Sequence, residues 1–285
     1  MTARTVRALH AAHRDDIADL VTRRPLPGPG LPDLDPFLFL NHHGPQTYPP
    51  NNRGLPFGPH PHRGFETVTF ILEGELAHHD SGGHASVIRA GGVQWMTAGS
   101  GLIHAELSPA KFKRQGGPLE ILQLWVNLPA RLKMTAPRYQ GLQADQIPTV
   151  DLPGVHIQAI AGEILGAKGA VETLVDMTMA TIAMAAGAAL TVPIAGSRQV
   201  FLYVARGEVV VTGRSASAFQ LVELNADGDE LRLTASRDSL LILGHAEPFA
   251  EPIFAHGPFV MNTRDEILEA ISDYQRGKFG PAPAV

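Results

Sequence analysis

Residues 59–76 read PHPHRGFETVTFILEGEL, and the fold turns on this stretch. Phe65 to Leu72 is dense in β-branched and aromatic residues and runs into Gly74-Glu75, the pattern of a strand closed by a tight turn. The pattern returns further on. Residues 192–209, VPIAGSRQVFLYVARGEV, align with 59–76 without gaps at an offset of 133. Val68 falls on Phe201, Gly74 on Gly207 and Glu75 on Glu208, so one strand-turn unit is used twice. His60 and His62, however, fall on Pro193 and Ala195. The fold is repeated and its histidines are not.

Working outward, short strand patterns recur on both sides. Val87–Ile88, Val93–Thr97 and Leu119–Leu128 follow the first copy. A second set covers 174–183, 190–193, 199–204, 208–212 and 240–243. Strands this short and frequent, with 29 Gly and 23 Pro to turn them, predict an all-β sandwich or barrel and not alternating βαβ units. Pro129, Pro137 and Pro148 punctuate a stretch of little periodicity, so 127–151 reads as a linker. The expected domains are 1–140 and 141–285. Near the end, Thr263-Arg264-Asp265-Glu266 is a capping box, followed by a short helix with Ile267, Leu268, Ile271 and Tyr274 on one face. It reads as a packing element. Gly277 and Gly280-Pro281 stop it.

Composition narrows the function. The formal charge of −5 and the absence of basic runs argue against direct nucleic-acid binding or attraction to anionic lipid. Without cysteine there are no disulfides, iron–sulfur clusters or thiol nucleophiles, which suits a cytoplasmic setting. The N-terminal twenty residues are broken by Arg4, Arg7, Arg14, Asp15 and Asp16, so they lack a signal-peptide core. The uncharged stretch from Met177 to Ser197 is long enough to span a bilayer. Its threonines, Gly187 and Pro193 instead predict two strands turning at Gly187, and no membrane association.

The chemistry concentrates at His60-Pro61-His62 and His104-Ala105-Glu106. Residues i and i+2 of a strand face the same way, so each pair can present two donors to one ion. Three imidazoles and one carboxylate suit a divalent first-row metal and leave positions open for substrate or dioxygen. Closed structural zinc sites favour cysteine, which argues against a purely structural ion. His42 and His43 are candidates for a barrel mouth, and His78, His79 and His84 read as a surface turn. His245, near Glu247, lacks an H-x-H partner.

These motifs resemble those of known families. Gly54, His60, His62, Glu66 and Gly74 follow the first motif of the cupin superfamily, with one extra residue between Glu66 and Gly74. The second motif is matched loosely, from Gly91-Gly92 through Gly101 to His104. The resemblance to pirins is closer. It rests on PFLFLNHHGP (36–45), PHPHRGFETVTFILEGEL, QWMTAGSGLIHAEL (94–107), LQLWVNLP (122–129) and GPFVMNTRDEI (257–267), and runs from about residue 36 to 275.

It implies a bicupin: two antiparallel β-barrel (jelly-roll) domains with a short C-terminal helix, the metal held only in the first. The implied ligands are His60, His62, His104 and Glu106. The implied metal is one Fe(II) per chain, with Ni, Mn, Cu, Co and Zn as alternatives, and Glu66 falls behind the ligands. Two functions follow from the resemblance. One is a quercetin (flavonol) 2,3-dioxygenase, an oxidoreductase acting on a small aromatic substrate and dioxygen. Glu106 or Glu66 would then be the base, and Phe65, Phe70, Trp95 and Met96 would line the pocket or fill the core. The other is a non-enzymatic, iron-dependent regulator that binds a protein partner, as a transcriptional co-regulator does.

Overall fold

Phe65–Glu73 is a strand and so is its copy, Gln199–Arg206. Each ends at a glycine of positive φ, Gly74 at +84° and Gly207 at +82°. A Cβ at Gly207 would lie 2.2 Å from the carbonyl oxygen of Asp238, so space as well as conformation demands glycine there. The computed structural model describes residues 2–284.

The chain forms two units, both discontinuous. One comprises residues 14–22, 38–144 and 249–285, and the other 1–13, 23–37 and 145–248. This corrects a simple cut at residue 140. Val6–Ala11 pairs antiparallel with Gln220–Leu224, deep in the second half of the sequence. Residues 249–285 belong with the His60 unit. Such pairings are non-local and leave no periodic trace in sequence.

The first unit has a four-stranded sheet in the order Phe57–His62, Leu102–Leu107, Glu75–Asp80, Ala85–Arg89. Opposed to it run Arg138–Leu142, Val93–Thr97, Phe65–Glu73, Gly117–Asn127 and Phe37–Tyr48. The second unit repeats the plan. Its four-stranded sheet runs Ala189–Pro193, Glu230–Ala235, Glu208–Val211, Arg214–Ser217, and its larger sheet is built around Gln199–Arg206 and Ser239–Ala246. This is the all-β, double-barrel architecture expected from the repeat. The predicted linker is partly wrong. Arg138–Leu142 pairs along its whole length with Val93–Thr97, as a half-buried edge strand whose residues show no alternation.

The two interiors differ. In the second unit Val192, Val200, Leu202, Val209, Leu231 and Leu243 belong to one continuous apolar cluster. In the first, apolar clusters around Ile71 and Ile121 and around Met96 and Leu102 flank a layer carrying histidine, threonine, glutamine and glutamate. The uncharged stretch 177–197 forms the strands Met177–Met184 and Ala189–Pro193, with Gly187 at φ +81° between them. Among the described residues no helix is long and apolar enough to cross a membrane.

The helix Arg264–Gln275 starts at the predicted capping box, Thr263 and Glu266 satisfying each other's backbone N–H. Its buried face is Ile267, Ala270 and Asp273. Leu268 and Tyr274, expected on that face, are exposed.

Candidate metal centre

His60 and His62 stand on the strand Phe57–His62, and His104 pairs directly with His60 from the antiparallel strand Leu102–Leu107. Their ligand-capable nitrogens all lie within 4.8 Å of one another. Ring centroids are 4.4 Å apart for His60–His104, 4.8 Å for His60–His62 and 4.9 Å for His62–His104. His62 and His104 are buried and His60 is half-buried.

Hydrogen bonding fixes the tautomers. His60 Nδ1–H donates to the carbonyl of Gly58 at 2.7 Å, and His62 Nδ1–H to that of Pro258 at 3.2 Å. A carbonyl can only accept, so Nε2 of both rings is left as a bare lone pair. Nε2 of His62 and both nitrogens of His104 are buried without a partner. A buried orphan acceptor costs about 1–3 kcal/mol, and one divalent ion among the three rings would take one lone pair from each, including Nε2 of His62 and one of the two unpartnered nitrogens of His104. Burial, reinforced by the charge of His60, pushes His62 down to about 3. His104 is held well below its ordinary value by burial and by the other histidines. Both are neutral at pH 7, the form that binds metals. The donor set fits a divalent first-row ion.

The depressed values set a pH dependence in the metal-free protein. Below about 6.5 the unfolded chain protonates these histidines, whereas folded His62 stays neutral down to about 3. The unfolded state binds more protons in that window, so stability falls as pH drops through it. Each pH unit costs up to about 1.4 kcal/mol per histidine. Denaturant titration of the metal-free protein at pH 7.5 and pH 5 is expected to show about 2 kcal/mol less stability from His62 alone. A curve that stays flat contradicts the burial argument.

Glu106, the fourth expected ligand, lies outside the three-histidine group. A register shift separates it from His104 in the pairing with the His60 strand. Its carboxylate accepts from Thr69 Oγ1 at 3.1 Å and from Gln123 Nε2 at 2.5 Å. Gln123 in turn accepts from the Trp125 indole N–H at 3.4 Å.

Glu66 is set apart from the histidines. Side chains alternate along a strand, and Phe65 touches the His62 ring while Thr69 holds Glu106. Glu66 therefore projects from the opposite face, where it accepts from Thr97 Oγ1 at 2.6 Å. Burial raises its carboxyl, against the pull of that bond. The same count divides the proposed apolar lining. Phe65 and Met96, which pairs with Thr67, face the histidines, whereas Trp95, paired with Val68, and Phe70 face away.

Sequence reasoning missed several neighbours. Trp125 lies with its ring 5.4 Å from His62, 4.4 Å from Phe65 and stacked on Phe39 at 4.6 Å. Counting by two from Gln123 would have found it. His78 is not at a surface turn. It is buried in the strand Glu75–Asp80, bonded to Asp80 at 3.0 Å and stacked on Tyr139 at 4.0 Å, with its ring 5.5 Å from His104. His84 meets the same aspartate from a half-exposed position. His42 is fully buried against Glu120 at 2.8 Å, and His43 bonds Thr22 at 2.8 Å. In the second unit His245 accepts from Arg198 Nε at 2.8 Å, and burial takes it to about 4.

Comparison with known proteins agrees with this architecture. The family model described as Pirin matches residues 19–126, and that of the Pirin C-terminal cupin domain matches 179–280. A pirin-like protein of Caulobacter vibrioides is 39% identical, over 93% of this chain and 94% of its own. Human pirin is 37% identical, over 90% and 87%. The crystal structure of a quercetin 2,3-dioxygenase from Acinetobacter baumannii superposes with a TM-score of 0.91 at 36% identity, covering 98% of this chain and 99% of that one. The repeated barrels, the histidine triad confined to one of them and these matches across both halves lead to one conclusion: the chain belongs to the pirin family and is a bicupin.

Proposed function

We propose that this protein is a metal-dependent dioxygenase acting on flavonol-type aromatic substrates, with one iron(II) held by His60, His62, His104 and Glu106. The observation that carries the reading is the convergence of the His60, His62 and His104 imidazoles, with His62 Nε2 and both His104 nitrogens buried and without a hydrogen-bond partner. Likeness to the Acinetobacter quercetin 2,3-dioxygenase across the full chain supports the substrate class. A bound divalent ion would supply Lewis-acid activation of a substrate hydroxyl and redox chemistry toward dioxygen.

The protein's own residues do the rest. The carbonyls of Gly58 and Pro258 hold two imidazoles in the ligating tautomer. Thr69 and Gln123 aim the Glu106 carboxylate, which serves as fourth ligand or as acceptor of the substrate's hydroxyl proton. Phe39 and Trp125, both half-buried, form an aromatic wall beside His62 against which a planar ring can stack.

The test is metal analysis followed by oxygen uptake. Iron-loaded protein is expected to consume oxygen with at least one member of a flavonol panel, and the zinc-loaded form to consume none, because zinc has no redox chemistry. If fully iron-loaded protein consumes no oxygen with any flavonol, the enzyme reading fails. The metal-dependent regulator, acting through protein contacts, then becomes the account of the site.

A further inference from the structure

We propose that the segment from Pro258 to Phe279 is a brace for the metal-binding strands, and that Asp273 is a positioning residue acting on His62 through Arg63. The inference rests on the metal-site reading above.

Arg63 follows His62 in sequence and is 3% exposed. A guanidinium so buried must have its charge and its donors matched. Its Nε donates to the carbonyl of Ser100 at 2.7 Å, one terminal nitrogen donates to Asp273 Oδ2 at 2.9 Å, and the group lies 4.7 Å from the Phe279 ring centroid. Asp273 sits in the last turn of the helix Arg264–Gln275. Its other oxygen meets Lys278 at 2.7 Å, so its direction is set from both sides.

The chain just before that helix reaches the ligand itself. Pro258 supplies the carbonyl that takes the Nδ1 proton of His62. Val260 N–H donates to the Arg63 carbonyl at 3.0 Å. Buried Lys133 then gathers the carbonyls of Gly64 and Val260 and the side chain of Asn127, at 2.9, 3.0 and 2.7 Å. The fit at Gly64 is close: a Cβ there would lie 2.0 Å from the Val260 oxygen.

The second ligand strand is tied by the same segment. Phe279 packs on Gly101 so tightly that a Cβ would come within 2.4 Å of its ring. It shares an apolar cluster with Ile103, next to His104. Ser81 donates through its hydroxyl to the Phe279 carbonyl at 2.6 Å and accepts from Ile103 N–H at 3.1 Å. Both histidine strands are thus fastened to one C-terminal element. A carbonyl behind a ligating imidazole fixes ring orientation, and removing such support typically costs about 10–100-fold in metal affinity. Asp273 governs that carbonyl's approach by anchoring Arg63.

The experiment follows cobalt(II), whose visible absorption reports coordination geometry. Wild-type, Asp273→Ala, Asp273→Asn and Glu269→Ala proteins are loaded with cobalt, their spectra recorded, and metal release to excess chelator timed. Glu269 lies on the exposed face of the same helix. Asp273→Ala is expected to release cobalt about 10–100-fold faster with an altered spectrum, while Glu269→Ala behaves as wild type. If Asp273→Ala does not fold, Asp273→Asn, which keeps the shape but not the charge, is judged by the same two readouts. A merely structural role would lower the unfolding temperature and leave the spectrum and release rate of the folded, loaded protein as in wild type. That result overturns the brace alone. Failure of the wild-type protein to take up cobalt overturns the metal reading, and the brace with it.

Discussion

His104→Ala is expected to give a folded protein that no longer retains its metal. His104 makes no side-chain hydrogen bond, since both of its nitrogens are buried and unpartnered. Its removal therefore orphans nothing. A large-to-small change at a buried site costs about 2–5 kcal/mol, but relief of unsatisfied polar atoms returns about 1–3 kcal/mol for each. The net loss is small enough for the fold to survive. The metal site is affected far more. Losing a group behind a ligand costs about 10–100-fold in affinity, so losing one of three imidazoles should exceed that range. Metal content after gel filtration, beside a thermal unfolding curve, separates the two effects. Wild type is expected to carry one equivalent and the variant none. In the second unit Pro193 occupies the repeat position of His60, and its ladder partner is Glu230 where His60 faces His104. Two tightly bound equivalents in wild type would sink the assignment.

The second large effect concerns Glu106→Gln. Loss of a general base typically lowers the rate about 10²–10⁴-fold. The surroundings tolerate the amide. Its oxygen can keep the bond from Gln123 Nε2, and its NH2 can face Thr69, whose hydroxyl turns from donor to acceptor. Metal occupancy and oxygen consumption per loaded chain must be measured together. A variant that keeps its metal and loses about two orders of magnitude in rate supports the base assignment. A variant that is empty identifies a ligand. One that keeps both metal and rate removes Glu106 from the mechanism.

The legible part of this protein was local. The strand Phe65–Glu73, its copy Gln199–Arg206, the glycine turns after each and the capping box at Thr263 all follow from residues within a dozen positions of one another. The pairing of His60 with His62 follows too, because residues i and i+2 of a strand face the same way, whereas His104 joins them from a separate strand. What escaped depends on distance or on face. Arg63 and Asp273 are separated by 210 positions, and neither residue carries a sign of the other. Arg138–Leu142 was read as linker because an edge strand half-buried on both faces shows no alternation. For Phe70 and Trp95 the sequence left pocket lining and core both open, and the buried core is where they lie. Their face could be counted from Thr69 only once Thr69 was known to hold Glu106. His78 and His79 looked like turn residues because Ser81-Gly82-Gly83 follows them, and the strand runs on to Asp80.

The discontinuity of the His60 unit has a consequence for how the protein is made. Ribosomes deliver the chain from its N-terminus at about 5–20 residues per second. The three histidines emerge early, yet residues 249–285, which complete their unit, follow only after 145–248 has been synthesised. That interval is about 5–20 s, far longer than a hairpin needs to form. Throughout it His62 lacks the Pro258 carbonyl, and the apolar surface around Ile103 lacks Phe279. The nascent barrel therefore waits, loosely organised, for its own last segment. Nascent chains stalled at residue 248 are expected to be cleaved by protease within the His60 unit, where the released full-length chain resists.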